Sequence, residues 1–229
     1  MRGFLLFISL IGLSAFASNA TSLQYSGVQV THQHSSVSES ILIERARGKE
    51  CMDVHINPET IYGGNLAAQE VPATCKKTFV TTVGKIQPMS IAKGILTVGE
   101  IEVLDFIKNR LMKEPNKYVL VDSRRPNWFE VSTIPGAVNI PYDEMSYDKD
   151  FEEDFARMLK LLNIKKVGDK FDFSEVKTAL LFCNASWCGQ SPQAIKILLA
   201  MGYPKEKLLW FRGGLQDWVL SGFNVVKPK

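Results

Sequence analysis

Histidine is scarce in this chain: His32, His34 and His55 are the only three among 229 residues. His32 and His34 could share one face of a strand, but no third ligand lies nearby, so they read as part of a solvated tail. His55, near Cys51, fits no common zinc spacing and reads as structural. No metal site and no organic cofactor is expected. An excess of charge is also missing, with 27 Lys and Arg against 24 Asp and Glu. That balance supplies no field to recruit nucleic acid or a membrane surface. Internal repeats are lacking, and so is any apolar stretch long enough to span a bilayer. The longest such run, Phe4 to Phe16, follows Arg2 and ends in Ala15-Phe16-Ala17. It is about a dozen residues where a span needs about 20. Residues 1–20 therefore read as a secretory signal peptide cleaved after Ala17 or Ala20, the alternative being a short membrane anchor. The mature protein is expected to be exported, with a periplasm as the expected compartment, and not membrane-bound.

What is present begins with four cysteines in two pairs, Cys51 with Cys75 and Cys183 with Cys188. In an oxidising compartment each pair needs an explanation, either as a disulfide or as reactive thiols. Residues 21–40 are serine-rich and read as a flexible lead-in. From Ile41 to Leu96 the pattern is strand-like and turn-rich: Ile41-Leu42-Ile43, Asp53 to Ile56, a Tyr62-Gly63-Gly64-Asn65 turn, and Thr78 to Val83. This mostly β segment has few large side chains. A Cys51–Cys75 disulfide, worth about 3 kcal/mol in a chain-entropy account, is preferred over two unpaired buried cysteines. The first unit is thus placed at residues 21–96.

The period changes at Thr97. Thr97-Val98-Gly99-Glu100 has the form of a capping box, and Ile101, Leu104, Ile107, Leu111 and Met112 follow at helical spacing. Over residues 97–229 strands and helices then alternate. Strands are expected at Tyr118 to Val121, Thr178 to Phe182 and Leu208 to Phe211. Helices are expected at Phe151 to Leu162, Pro192 to Met201 and Leu215 to Leu220. That order implies an α/β fold with a parallel sheet flanked by helices. In such sheets ligands bind past the carboxyl ends of the strands. Cys183 sits there, after Leu180-Leu181-Phe182 and before a loop, with Ser191 as the expected N-cap and Pro192 as the first helical residue. Backbone N–H groups of that loop can favour the thiolate over a free thiol of pKa about 8.5. A Cys in this place could also be a small packing residue.

Four stretches, in order, resemble the rhodanese-like domain family: Val121-Asp122-Ser123-Arg124, Ile134 to Pro141, Leu180 to Cys183, and Arg212-Gly213-Gly214-Leu215-Gln216-Asp217-Trp218. The resemblance spans about Thr97 to Val226 and implies a sulfurtransferase. Cys183 matches the cysteine that carries sulfane sulfur as a persulfide. Asp122 and Arg124 match an organising pair, and Gly213, Gly214 and Trp218 a motif that packs the last helix. The implied partners are a small sulfur-containing donor and a thiol acceptor, which can be a protein.

The loop departs from that pattern. Asn184, Ala185, Ser186, Trp187, Gly189, Gln190 and Ser191 are expected to line the substrate, yet the loop holds no basic residue to receive an anionic donor such as thiosulfate. Ser191 falls eight positions after Cys183 rather than the family's six. The related phosphatases require Arg where this chain has Gly189, which argues against phosphoryl transfer. Cys188 inside the loop could resolve a persulfide, close a redox disulfide with Cys183, or merely pack. Trp187 could cover the loop or wall a substrate. Three functions stay open: sulfur transfer through Cys183, a Cys183/Cys188 thiol-disulfide couple, and a non-catalytic binding module in which Cys183→Ser changes nothing.

Overall fold

The computed structural model describes residues 28–34, 37–43, 49–51, 53–61, 67–76 and 84–228. The signal segment, the Tyr62–Asn65 turn and the Thr78–Val83 strand lie outside the described residues. The chain first forms an antiparallel hairpin, β1 (Val28–His34) with β2 (Val37–Ile43). Part of the expected flexible lead-in is therefore paired strand. His32 and His34 lie in β1.

Residues 49–76 contain no strand among those described. Asp53 to Ile56, expected as a strand, runs without a ladder partner into α1 (Pro58–Ile61). Asn57 caps that turn, its Oδ1 accepting from the Thr60 N–H at 2.7 Å. Cys51 and Cys75 are joined as a disulfide, Cα atoms 5.3 Å apart. Both are buried with Ile61, Ala67 and Val71.

The body of the molecule is a five-stranded, wholly parallel sheet in the order β3 (Leu96–Val98), β9 (Leu208–Phe211), β8 (Thr178–Phe182), β4 (Tyr118–Asp122), β5 (Ala137–Asn139). Alternate residues of its central strands feed two cores. Val119, Val121, Ala179, Leu181 and Trp210 pack against α4 (Glu152–Leu162) and α5 (Gln190–Met201) through Phe155, Met158, Leu162, Ala194, Ile195 and Leu198. Leu120, Leu180, Phe182 and Phe211 turn to the other face. There they meet Val103 of α2 (Glu100–Asp105), Phe106 of the π-helical turn that follows, and Leu215 and Trp218 of α6 (Gly214–Leu220). Burial on both faces is why β4 and β8 are uninterrupted apolar runs in the sequence.

The helix expected from Val98 starts at Glu100. Gly99 is its N-cap, and the Glu102 carboxylate accepts from the Gly99 N–H at 2.9 Å. Thr97 does not cap, because it belongs to β3 and its hydroxyl donates to the Met89 carbonyl. Ser191 is likewise not the N-cap of α5. That place is Gly189, and Ser191 lies within the first turn with its side chain inward. An exposed hairpin, β6 (Lys165–Val167) with β7 (Lys170–Asp172), follows α4.

Strand register places the site. Asp122 pairs with Phe182, and Phe182 with Phe211. Three strands thus end level, and the chain leaves the same edge at Ser123, Cys183 and Arg212.

Candidate active site: a cysteine held in a backbone cradle

Cys183 is 2% exposed, at the point where the apolar pull of β8 ends. Ser191, fully buried on the first turn of α5, donates from Oγ to Cys183 Sγ at 3.1 Å. Ser191 Oγ itself accepts from Trp210 Nε1 at 3.0 Å. Trp210 was invisible to sequence reasoning as a site residue. The available signal was that a tryptophan inside a fully buried strand must find an acceptor for its N–H.

Burial is the largest single influence on the Cys183 thiol and pushes it up. Hydrogen bonds from Cys188, from the Ser191 hydroxyl and N–H, and from the Asn184 N–H together outweigh it. They hold Cys183 below the ordinary cysteine value. Cys188 goes the other way: burial, its hydrogen bond to Cys183 and the Cys183 charge push it well up. The two sulfurs thus form an unequal pair, Cys183 the more acidic thiol and Cys188 the less acidic one.

The loop is held from three sides. Leu215 and Gln216 at the start of α6 donate their N–H groups to the carbonyls of Cys183 (3.0 Å) and Asn184 (2.9 Å). This approach needs Gly214, at φ +61°, because a Cβ there would stand 2.4 Å from the Cys183 carbonyl oxygen. Lys85 and Gln87 donate backbone N–H groups to the carbonyls of Trp187 and Ser186, and Arg212 donates to the Gln87 carbonyl. The third side is the disulfide-bonded segment. Cys51, Ile61, Ala67, Val71 and Cys75 share one apolar cluster with Trp128, Cys183, Ala185, Trp187 and Cys188.

Asp122 and Arg124 form a fully buried ion pair at 2.6 Å. Arg124 also donates to the Ser132 carbonyl, and Thr133 Oγ1 donates to Asp122 at 2.8 Å. The pair ties the end of β4 to the following turn.

A cleft of about 300 Å³ opens beside the loop, lined in part by Asn184, Trp187, Cys188, Gly189 and Gln190. Of the residues expected to line a substrate, Asn184, Trp187, Gly189 and Gln190 stand around it, while Ser191 lies inside against the sulfur. Ala185 is buried in the apolar cluster, and Ser186 gives its carbonyl to Gln87. Trp187 both walls the cleft and is fixed, its Nε1 donating to Gln216 Oε1 at 2.9 Å. Cys188 reaches the cleft, and Cys183 is not among its lining residues. Sequence reasoning missed Arg125, Trp128 and Tyr142 on the opposite wall. Among the described residues no group of three or more His, Cys, Asp or Glu could hold a metal ion.

Fold and site together define a parallel α/β domain that holds a buried cysteine past its central strand, between a loop and the start of a helix. The Rhodanese-like domain family matches residues 105–221, a little over half of the chain, and the protein belongs to that family. It is similar to the adenylyltransferase and sulfurtransferase UBA4 of Meyerozyma guilliermondii, with 27% identity over 63% of this chain. The match covers 31% of that relative, so the chain spans about a third of its length. The thiosulfate:glutathione sulfurtransferase of Saccharomyces cerevisiae is 29% identical over 48% of this chain and 69% of its own. Among solved structures, the BH2092 protein of Bacillus halodurans aligns over 57% of this chain and 76% of its own. Its TM-score is 0.40, at 18% identity.

Proposed function

We propose that this protein is an exported sulfurtransferase that carries sulfane sulfur as a persulfide on Cys183. The observation that carries the reading is the hydrogen bond from Ser191 Oγ to Cys183 Sγ at 3.1 Å, at a buried thiol that its surroundings hold below the ordinary cysteine value. They shift the thiol toward its anion, and the thiolate is the attacking species in sulfur transfer. The yeast relative, named for transfer between thiosulfate and glutathione, supports the same class.

The Cys183 thiolate attacks the outer sulfur of a donor, and the donor's remaining group leaves with the electron pair of the broken S–S bond. A thiolate acceptor then attacks the outer sulfur of the Cys183 persulfide, and Cys183 leaves as thiolate. No net oxidation occurs. The same donors that hold the thiolate are placed to hold a persulfide anion. Cys188, kept neutral by burial, is placed to give a proton to the departing group. The acceptor is a small thiol or a protein thiol.

The neighbouring sulfurs favour one second reading, a Cys183–Cys188 redox couple. Intact mass before and after a sulfane-sulfur donor separates the two. Sulfur transfer predicts a gain of one sulfur atom that is absent in Cys183→Ser; loss of two hydrogens joining Cys183 to Cys188, with no sulfur gained, moves the assignment to the redox couple.

A further inference from the structure

The loop carries no cation, yet the cleft does. Arg125 is the one Lys, Arg or His among the described residues lining it, and it comes from a different element, the turn between β4 and α3 (Pro126–Phe129). Its position is fixed from both sides. The preceding residue, Arg124, is locked in the buried pair with Asp122, and Pro126 begins the helical turn that buries Trp128. The side chain leans on Tyr142: Nη2 donates to the phenol oxygen at 3.2 Å, and the guanidinium carbon stands 5.9 Å from the ring centroid. Its Nε lies 3.6 Å from Asp143 Oδ2, in a pair where both side chains are half exposed or more. Such a pair is weak in water, so a ligand anion competes with it on good terms. A planar guanidinium with five N–H donors keeps capacity for a carboxylate or sulfonate after serving Tyr142 and Asp143.

The rest of the wall sets size and polarity. Ile56 and Gly84, from the covering N-terminal region, narrow the cleft on one side. Trp128 and Trp187 give it apolar faces, and Asn184 and Gln190 give it neutral hydrogen-bonding groups. With about 300 Å³ of room, it fits a small molecule.

We infer that Arg125, braced by Tyr142, is the anion-binding residue of this cleft, and that it selects, among the small sulfur compounds that meet Cys188 there, those bearing a carboxylate or sulfonate-type group. This rests on the sulfurtransferase reading for its biological meaning but not for its test. Thiol labelling by an anionic aromatic disulfide, 5,5'-dithiobis(2-nitrobenzoate), is compared with labelling by a neutral one, 4,4'-dithiodipyridine, on the full-length protein.

In Arg125→Gln the anionic-to-neutral rate ratio should fall about tenfold, the size of one charge-assisted hydrogen bond. Arg125→Lys should restore part of it, and added salt should narrow the gap between wild type and Arg125→Gln. Lys170→Gln, which removes the same charge from the exposed β7, should keep the wild-type ratio. An unchanged ratio in Arg125→Gln, or an equal fall in Lys170→Gln, overturns the assignment. A protein that shows the ratio change but gains no sulfur from thiosulfate or from a small organic persulfide keeps the anion site and loses the sulfurtransferase reading.

Discussion

Ser191 does two things with one oxygen, giving a hydrogen bond to Cys183 and taking one from Trp210. In Ser191→Ala the thiolate loses a donor while the thiol loses nothing equivalent, so the Cys183 pKa moves up. The rate of iodoacetamide alkylation should then reach its half-maximum at higher pH than in wild type, and at neutral pH the reaction should slow. An alkylation profile that does not move would show that the amides alone hold the charge. The variant also leaves the Trp210 N–H buried without its acceptor, at a cost of about 1–3 kcal/mol in urea unfolding. Spacing in the sequence showed that a serine follows the cysteine loop, and it suggested a cap. Only the fold shows that Gly189 caps and that Ser191 turns inward. Arg124 and Arg125 make the same point more sharply. Adjacent and chemically identical, one is fully buried in an ion pair and the other stands in the cleft. The pattern Asp-x-Arg marks the first, whereas the second depends on where the turn after β4 points.

At the scale of elements, the buried parallel strands were legible because burial on two faces forces unbroken apolar runs. Tyr118, Thr178 and Leu208 begin strands as expected. The edge strands β3 and β5 were not, since three residues with one neighbour leave little pattern. Nor was the β6–β7 hairpin, whose exposed residues answer to the Gly168 turn more than to a core. The contact of α6 with the loop is the element-level feature most remote from sequence. The glycine pair was read as packing for the last helix, and Gly214 in fact lets that helix touch the carbonyl of the reactive cysteine itself. Gly214→Ala should lower the unfolding free energy by about 2 kcal/mol or more, from the positive φ and the backbone clash together. It should also slow Cys183 alkylation, because the Leu215 and Gln216 amides that hold the loop must move. Wild-type reactivity in Gly214→Ala would mean that the loop keeps its shape without α6.

For the molecule as a whole, the apolar cluster that joins the Cys51–Cys75 segment to the reactive loop means the two are not independent. Replacing both Cys51 and Cys75 with Ser should cost about 3 kcal/mol in the covering segment. Trp128 and Trp187, each 8% exposed, should then shift their fluorescence to the red and become easier to quench. Tryptophan emission identical to wild type would show that the segment holds its place without the staple. The chain so described keeps one cystine closed and two thiols open within a single apolar cluster. The closed cystine is itself buried, Cys51 1% and Cys75 0% exposed, so a reductant added for the two thiols reaches it only once the covering segment opens. Unfolding followed with and without a reductant should then differ by the stabilisation that the cystine gives the covering segment.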